Sequence, residues 1–416
     1  MLDFDVIIIG AGPSGAIASA LLNKKGYRVC VLEKQLFPRF VIGESLLPHC
    51  MEFITEAGML EAVEAGADEC FQFKNGAAFT WGDRYTYFDF TDKFTPGPGT
   101  TFQVKRAHFD NILIKEAQKQ GAEVRFEHSV TGIDFDDEKS TLSVTDKAGQ
   151  PYQLTSRFVL DASGYGRVLA RLLNLEEPSS LPERKAYFTH IDDNITDPSF
   201  DRNKILISTH PEFRDVWLWT IPFSDGRTSI GVVGMPERLD NHGETEPEAI
   251  LRKFASEVPM LKRVLTNANW HNEVPFRTLS NYSANVKSLY GPRFALLGNA
   301  SEFLDPVFSS GVTIAMRSAK LATDLLHKQF QGQEVDWQTE YAEALKVGVN
   351  AFRTYVMGWY STKFQDIIYS NTVNPEIRRM ISSILAGYAW DQENPYVVKS
   401  DRRLAALAEI CGEAKL

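Results

Sequence analysis

The chain has 416 residues, 44% hydrophobic and 24% charged, with a net charge of -10. That length exceeds what one simple core fills and predicts two cores, or one large α/β body able to enclose a cofactor. The acidic balance excludes nucleic acid and anionic membrane as default partners. No apolar run is long enough for a bilayer span, and the N-terminus carries neither a basic region nor a cleavage site, which predicts a soluble, cytoplasmic protein without membrane insertion.

In chain order, Phe4 to Ile9 is a short β-branched run that predicts a buried strand. Glycine punctuation follows, then a helical stretch from Ala16 to Lys25 with Gly26 at its C-terminal cap, then a second strand from Tyr27 to Leu32 that Glu33 closes. This is a βαβ unit. The two outer residues of its turn, Gly10 and Gly15, bracket Ala11, Gly12, Pro13 and Ser14, and the turn lies between strand and helix, the context in which a GxGxxG string is a strong dinucleotide signal. Gly10 permits the tight turn, Gly12 lets backbone approach a pyrophosphate, and Gly15 allows close helix-to-strand packing while the helix N-terminus faces the anion. Glu33 lies 21 residues beyond Gly12, where an acid accepts hydrogen bonds from ribose hydroxyls and disfavours a 2′-phosphate.

Further along, Phe109 to Gln120 predicts a helix, Glu123 to Phe126 a strand, and Ser129 to Asp134 with Thr141 to Thr145 a meander. Arg157 to Leu160 predicts a buried strand ending at Asp161, and Phe294 to Leu297 another, ending at Gly298 and Asn299. The glycine turn alone leaves FAD and NAD open. Two more strand ends converging on one ligand favour a long, extended cofactor, FAD, over a transient nicotinamide.

From Lys185 to Met235 the sequence turns rich in aromatic and β-branched residues, predicting an antiparallel sheet on the substrate side. Gly311 to Gln329 predicts an amphipathic helix, and the tail from about Trp337 is helical, with an aromatic stretch at Tyr355, Trp359, Tyr360 and Phe364. The expected architecture is therefore α/β. Residues 1–74, 102–175 and 276–330 form a discontinuous Rossmann-type FAD-binding domain, 75–101 with 176–275 an antiparallel-sheet substrate domain, and 331–416 a C-terminal helical region. The four cysteines, Cys30, Cys50, Cys70 and Cys411, show no CxxC pair and read as reduced packing residues, so no metal or disulfide framework is expected.

Five strings carry a family resemblance: the glycine turn, Pro38 to Pro48 (PRFVIGESLLP), Lys74-Asn75-Gly76, Trp217 to Pro222 (WLWTIP), and Leu304 to Val312 (LDPVFSSGV). With these, residues Asp5 to Gln329 resemble the two-component flavin-dependent halogenases, which are relatives of the aromatic hydroxylases and geranylgeranyl reductases. The first two strings are shared with the reductases and hydroxylases, whereas WxWxIP marks halogenases in the family.

The resemblance implies that FAD reduced by a separate flavin reductase, together with oxygen, oxidises halide to hypohalous acid. A lysine matching Lys74 then delivers the halogen to an electron-rich ring. It implies that Trp217 and Trp219, alternating on one face of a strand, wall substrate away from flavin. It places the flavin against Gly311 and Val312 and the halide near Ser310 and Gly311, at the start of a helix whose N–H groups are free. It adds Lys34, Arg39, Arg106 and Val130 to the cofactor set of Gly10, Gly12, Pro13, Ser14, Gly15, Glu33, Asp161, Gly298 and Asn299. Arg106 heads a helix in an RxxFD segment, where the dipole disfavours a cation unless a phosphate or ribityl group meets it.

Read as residues alone, Lys74 is a solvated lysine before a glycine turn, and the two tryptophans are a core pair; the other motifs shift both readings. Two departures stand out. Asn299 replaces an aspartate common in the family, and Phe308 stands where tryptophan halogenases carry glutamate, which points to phenolic, pyrrolic or carrier-tethered substrates. A geranylgeranyl-reductase-like flavin dehydrogenase or a flavin monooxygenase is the alternative.

Overall fold

The computed structural model describes residues 2–413. Strand β1 (Phe4–Ile9) lies between Pro151–Asp161 and β2 (Val29–Glu33), parallel to both, and Phe294–Leu296 and Glu123–Phe126 extend the parallel run on either side. The central strands β1 and β2 read as nearly continuous apolar runs because both sheet faces are covered there. On one face, helix α1 (Pro13–Lys24) packs against helices Arg106–Lys119 and Gly311–Phe330. On the other, the meander of Ser129–Phe135 and Ser140–Thr145 closes a smaller core in which Leu142, Val144 and Leu154 meet Ile7, Ile9 and Cys30.

Helix α1 begins at Pro13, three residues before the start expected from hydrophobic periodicity. Pro13 is pre-set for the first helical position, where its missing N–H costs nothing. The strand predicted at 157–160 runs from Pro151 because its first half pairs antiparallel with Ser140–Thr145.

The second sheet has seven strands in the order Arg277–Ser280, Lys185–Asp192, Arg227–Gly234, Trp217–Pro222, Lys204–Thr209, Gly76–Trp81 and Arg84–Asp89. Its pairs are antiparallel except that Lys204–Thr209 runs parallel to Gly76–Trp81. The period-2 alternation of its strands buries both faces. Ile205, Ile207, Trp217, Trp219 and Ile221 turn inward to the main core, and Leu206, Leu218, Ile230 and Val232 turn outward onto helices Pro247–Glu257 and Pro259–Val264. Arg277–Ser280 belongs to this sheet through its pairing with Lys185–Asp192, although the sequence groups it with the cofactor segments. Gly291-Pro292 marks a break before the strand at 294, but only the pairing assigns 277–280 to this sheet.

The C-terminal segment is helical, from Gln338 through Ala344–Tyr360 to Ser400–Glu413. Its Phe352, Tyr355, Trp359 and Phe364 are buried in the same core as the inward tryptophans. Among the described residues no helix is long and apolar enough to cross a membrane. None of the four cysteines is in a disulfide.

The closest approach in the fold is at the first turn, where a methyl group on Gly15 would lie 2.0 Å from the Gly10 carbonyl oxygen. Backbone cannot yield as a side chain does. Gly15→Ala is expected to cost roughly 2–3 kcal/mol by forcing α1 off β1, as overpacked cores do, and urea unfolding of the FAD-free protein would measure it.

Candidate functional site

The C-terminal ends of β1, β2, Pro151–Asp161 and Phe294–Leu296 open onto a cavity that continues to the inner face of the second sheet. Ligands of open α/β sheets bind at such strand ends. Of the residues named from sequence, Gly10, Gly12, Pro13, Ser14, Glu33, Lys34, Arg39, Arg106, Asn299, Gly311 and Val312 line it at the parallel-sheet side, and Trp217 and Trp219 line it at the other.

Five others sit behind the wall. Gly15 lies under the Gly10 carbonyl. Asp161, fully buried, uses its carboxylate to accept from the N–H groups of Ser163 (2.9 Å) and Leu169 (2.7 Å), shaping the turn whose Ala162, Ser163 and Gly164 face the cavity. Gly298 donates its N–H to Ser318 Oγ. Ser310 is buried at the N-cap of the Gly311–Phe330 helix, without a side-chain cap bond. Val130 stands on the meander next to the end of β2, where His128 N–H donates to the Glu33 carbonyl.

The glycine turn is braced by Glu33, whose carboxylate accepts from Ala11 N–H and Gln35 N–H, both at 2.9 Å. Gly12 faces open space: a methyl group there would meet only the Arg39 guanidinium, at 3.6 Å. Arg39 is held by Asp110 at 2.9 Å, and Arg106 binds the same fully buried carboxylate through Nε at 2.8 Å and Nη2 at 3.0 Å. Arg106 also donates to the carbonyls of Ile42 and Gly43. An acid four residues on thus meets Arg106 within the protein, while Arg106 also lines the cavity. Two guanidinium groups on one carboxylate leave a net positive wall beside the glycine turn, complementary to a pyrophosphate.

Lys74 ends the short strand Gln72–Lys74, which pairs with Thr101–Gln103. It has no exposed surface. Its ammonium donates to Ser45 Oγ and the Leu46 carbonyl, both at 2.7 Å, and lies 5.5 Å from the centre of the Phe90 ring. Ser45 lines the cavity, so Lys74 reaches the wall through that hydroxyl. With no carboxylate to pair with it, burial pulls its pKa down to about 7, the Cys50 thiol opposing slightly. A lysine of this kind exchanges its proton near neutrality, which an ordinary surface lysine does not.

Trp217 and Trp219 stand side by side, ring centres 6.0 Å apart. Trp219 Nε1 donates to Ser229 Oγ and Trp217 Nε1 to Tyr360 Oη, each at 3.0 Å. Tyr360 in turn donates to Asp305 Oδ2 at 2.9 Å, and the other Asp305 oxygen accepts from Val307 N–H. Burial pushes the Asp305 carboxyl up to about 6 against these bonds. Phe308 packs edge-on against Trp359 and Phe364.

The sequence reading missed the Asp110 clamp, the Asp305–Tyr360 link and a buried contact between Glu44 and His190, in which His190 Nε2 lies 2.7 Å from Glu44 Oε1. Glu44 and Asp305 stood in quoted strings. Tyr360 stood in the aromatic stretch of the tail without a role, and nothing in the sequence marked His190.

This strand-end cavity with its glycine turn, positive wall and tryptophan-lined far side defines a flavoprotein of the FAD-binding α/β class. The family model for the FAD binding domain matches residues 3–348, and the chain belongs to that family. A solved flavoprotein/dehydrogenase from Cytophaga hutchinsonii is 41% identical, with a TM-score of 0.93 over 99% of this chain and 100% of that one. A solved flavin-dependent brominase is 26% identical with a TM-score of 0.82, covering 99% of each chain. Among curated relatives, the 1H-pyrrole-2-carbonyl-[peptidyl-carrier protein] chlorinase of Pseudomonas fluorescens is 27% identical over 98% of this chain and 94% of its own length. The chain is thus an FAD-dependent oxidoreductase whose homologues are flavin-dependent halogenases.

Two outcomes are expected. Gly12→Ala keeps the FAD-free melting temperature, because the added methyl meets no protein atom closer than 3.6 Å, yet binds FAD at least tenfold more weakly, as titration of flavin fluorescence would show. Lys74→Met changes stability with pH in a defined direction. Between about pH 7 and the ordinary lysine value the unfolded chain binds the proton that the folded chain sheds, so the penalty of burying Lys74 is full below pH 7 and fades above it. The stability of the variant relative to wild type is therefore higher at pH 6 than at pH 9.5 in paired thermal melts.

Proposed function

We propose that this protein is a two-component halogenase, using FAD reduced by a separate reductase, oxygen and halide to halogenate an electron-rich aromatic ring. The observation that carries the reading is Lys74. A fully buried lysine, titrating near neutrality, is held against the cofactor cavity by a serine hydroxyl and a carbonyl. Bound FAD, once reduced, supplies the electrons that let oxygen oxidise halide.

The protein's own residues do the rest. The glycine turn, Glu33 and the Asp110-held arginines bind and orient the cofactor, with Lys34, Asn299, Gly311 and Val312 along its length. Asp161, Gly298 and Val130 set the surrounding turns. The free N–H groups at Ser310 and Gly311 hold halide. Trp217 and Trp219 separate substrate from flavin, and Lys74 hands the oxidised halogen to the ring, as hydrogen-bond donor or as amine. These assignments follow from placement and from the motifs together.

The substrate is phenolic or pyrrolic. Phe308, buried against Trp359 and Phe364, supplies no acid to assist ring deprotonation, which activated rings do not need. The curated chlorinase and a brominase of Pseudoalteromonas luteoviolacea act on a carrier-linked pyrrole, and a carrier thioester is the form to test first. A flavin dehydrogenase is the second reading, supported by the description of the 41% identical structure. It gives Lys74 and the paired tryptophans no chemical task.

The test uses protein, FAD, a flavin reductase with NADH, oxygen and bromide or chloride on free and carrier-bound phenols and pyrroles. Halide-dependent mass gain is expected from wild type. Lys74→Ala is expected to bind FAD and reoxidise it at the wild-type rate while halogenation falls at least a hundredfold. Undiminished product from the variant removes Lys74 from the reaction.

A further inference from the structure

Oxidation of halide carries a proton requirement. Overall, FADH- + O2 + X- + 2 H+ gives FAD + HOX + H2O. Flavin and halide each lose two electrons, oxygen gains four, and two protons must enter a cavity that is walled by protein. A buried acid in the wall is suited to supply them.

Most ionisable groups facing the cavity are unsuited to that task. Glu33 is committed as a carboxylate to two backbone N–H groups. Arg39 and Arg106 do not titrate. Lys34 is exposed at the β2 end, next to Glu33. Tyr282 and Tyr165 are phenols whose pKa burial raises further above the ordinary value. Asp305 has both oxygens engaged, by Val307 and Tyr360, and does not line the cavity. Lys74 stands behind Ser45 with two acceptors.

Glu44 is different. It lines the cavity one residue before Ser45 and is 1% exposed. One of its oxygens meets His190 Nε2 at 2.7 Å, and the other, Oε2, is buried with no hydrogen-bond partner. A buried carboxylate oxygen left bare is costly, and such an exception asks for a reason. The His190 ring sits between Phe40 and Phe223, and the charged groups around the pair are Arg106 on the Glu44 side, Lys105 over Phe223 and Arg277 over Phe40. No other acid touches it among the described residues.

We propose that Glu44 and His190 form the proton carrier of the cofactor cavity, taking a proton at Oε1 from His190 Nε2 and releasing one from Oε2 into the site. This rests on the halogenase reading above. A carboxyl group can accept on one oxygen and donate from the other without moving, which the single 2.7 Å contact and the bare second oxygen permit. Halide bound elsewhere in the same cavity also favours the protonated form of the pair, because an anion sharing a low-dielectric cavity with an unprotonated carboxylate is repelled.

Two measurements on the FAD-loaded protein test this. The first is bromide affinity, read from perturbation of the flavin absorbance. In wild type it is expected to weaken with rising pH, by up to tenfold per pH unit where one proton is taken up with each bromide, while Glu44→Gln gives a pH-independent affinity. The second is bromination of phenol red with reduced FAD and oxygen. It is expected to fall about a hundredfold in Glu44→Gln and to recover partly in Glu44→Asp, the range of a lost general acid.

Wild-type behaviour of Glu44→Gln in both measurements overturns the carrier alone. A wild type that neither binds bromide nor brominates overturns the halogenase reading and the carrier with it. Should Glu44→Gln fail to fold, His190→Gln carries the same two expectations, and loss of FAD binding by both variants would make the pair a cofactor-holding element instead.

Discussion

A single buried carboxylate, Asp110, accepts from two arginines, and through them it holds the segment from Arg39 to Ser45 that faces the cavity. Arg106 passes the restraint on, donating to the carbonyls of Ile42 and Gly43. Breaking one partner from such a cluster leaves an uncompensated buried charge, which is why buried ion clusters fix geometry even where they add little net stability. Three contacts at the site hang from this segment: Arg39 beside the glycine turn, Glu44 against His190, and Ser45 against Lys74. The parallel sheet and the antiparallel sheet are thereby registered to each other across one cavity.

Charge is distributed unevenly along that cavity. At the glycine turn two guanidinium groups share one acid, and the helix N-terminus adds partial positive charge, so the wall suits a pyrophosphate. Toward the second sheet the charges are single and buried, and their proton affinities move as desolvation dictates, Lys74 down to about 7 and Asp305 up to about 6. Shifts toward neutrality are what proton-handling groups require, and Lys74 and Asp305 carry them on either side of this cavity.

The C-terminal helices are part of the site and do more than cover it. Tyr360, at the end of the Ala344–Tyr360 helix, bridges Trp217 on the second sheet to Asp305 on the segment leading to the Gly311–Phe330 helix. The Arg184 guanidinium lies 4.0 Å over the Tyr360 ring. The tryptophan wall is therefore locked from behind by a tyrosine more than a hundred residues away in sequence, and Gly231 leaves room for the Trp219 ring on the neighbouring strand, where a methyl group would come within 2.3 Å. The indoles are core residues and wall residues at once.

By itself the sequence determined the local architecture: the strand–turn–helix around Gly10 to Gly15, the acid at Glu33, the inward alternation of Trp217 and Trp219, and the helical tail. Each of these is written in neighbouring residues, by periodicity, by glycine and proline chemistry, or by a short string. Only the tertiary structure decided which of those residues meet. Arg39 came to share Asp110 with Arg106, the 277–280 strand joined the second sheet, and Glu44 came to lie against His190, because such pairings are set by strand order and packing between distant segments. Lys74 shows the division most clearly. The residue before Asn75 and Gly76 could be read as solvated or as catalytic from sequence, and burial alone, which no local pattern encodes, gave it a pKa near neutrality.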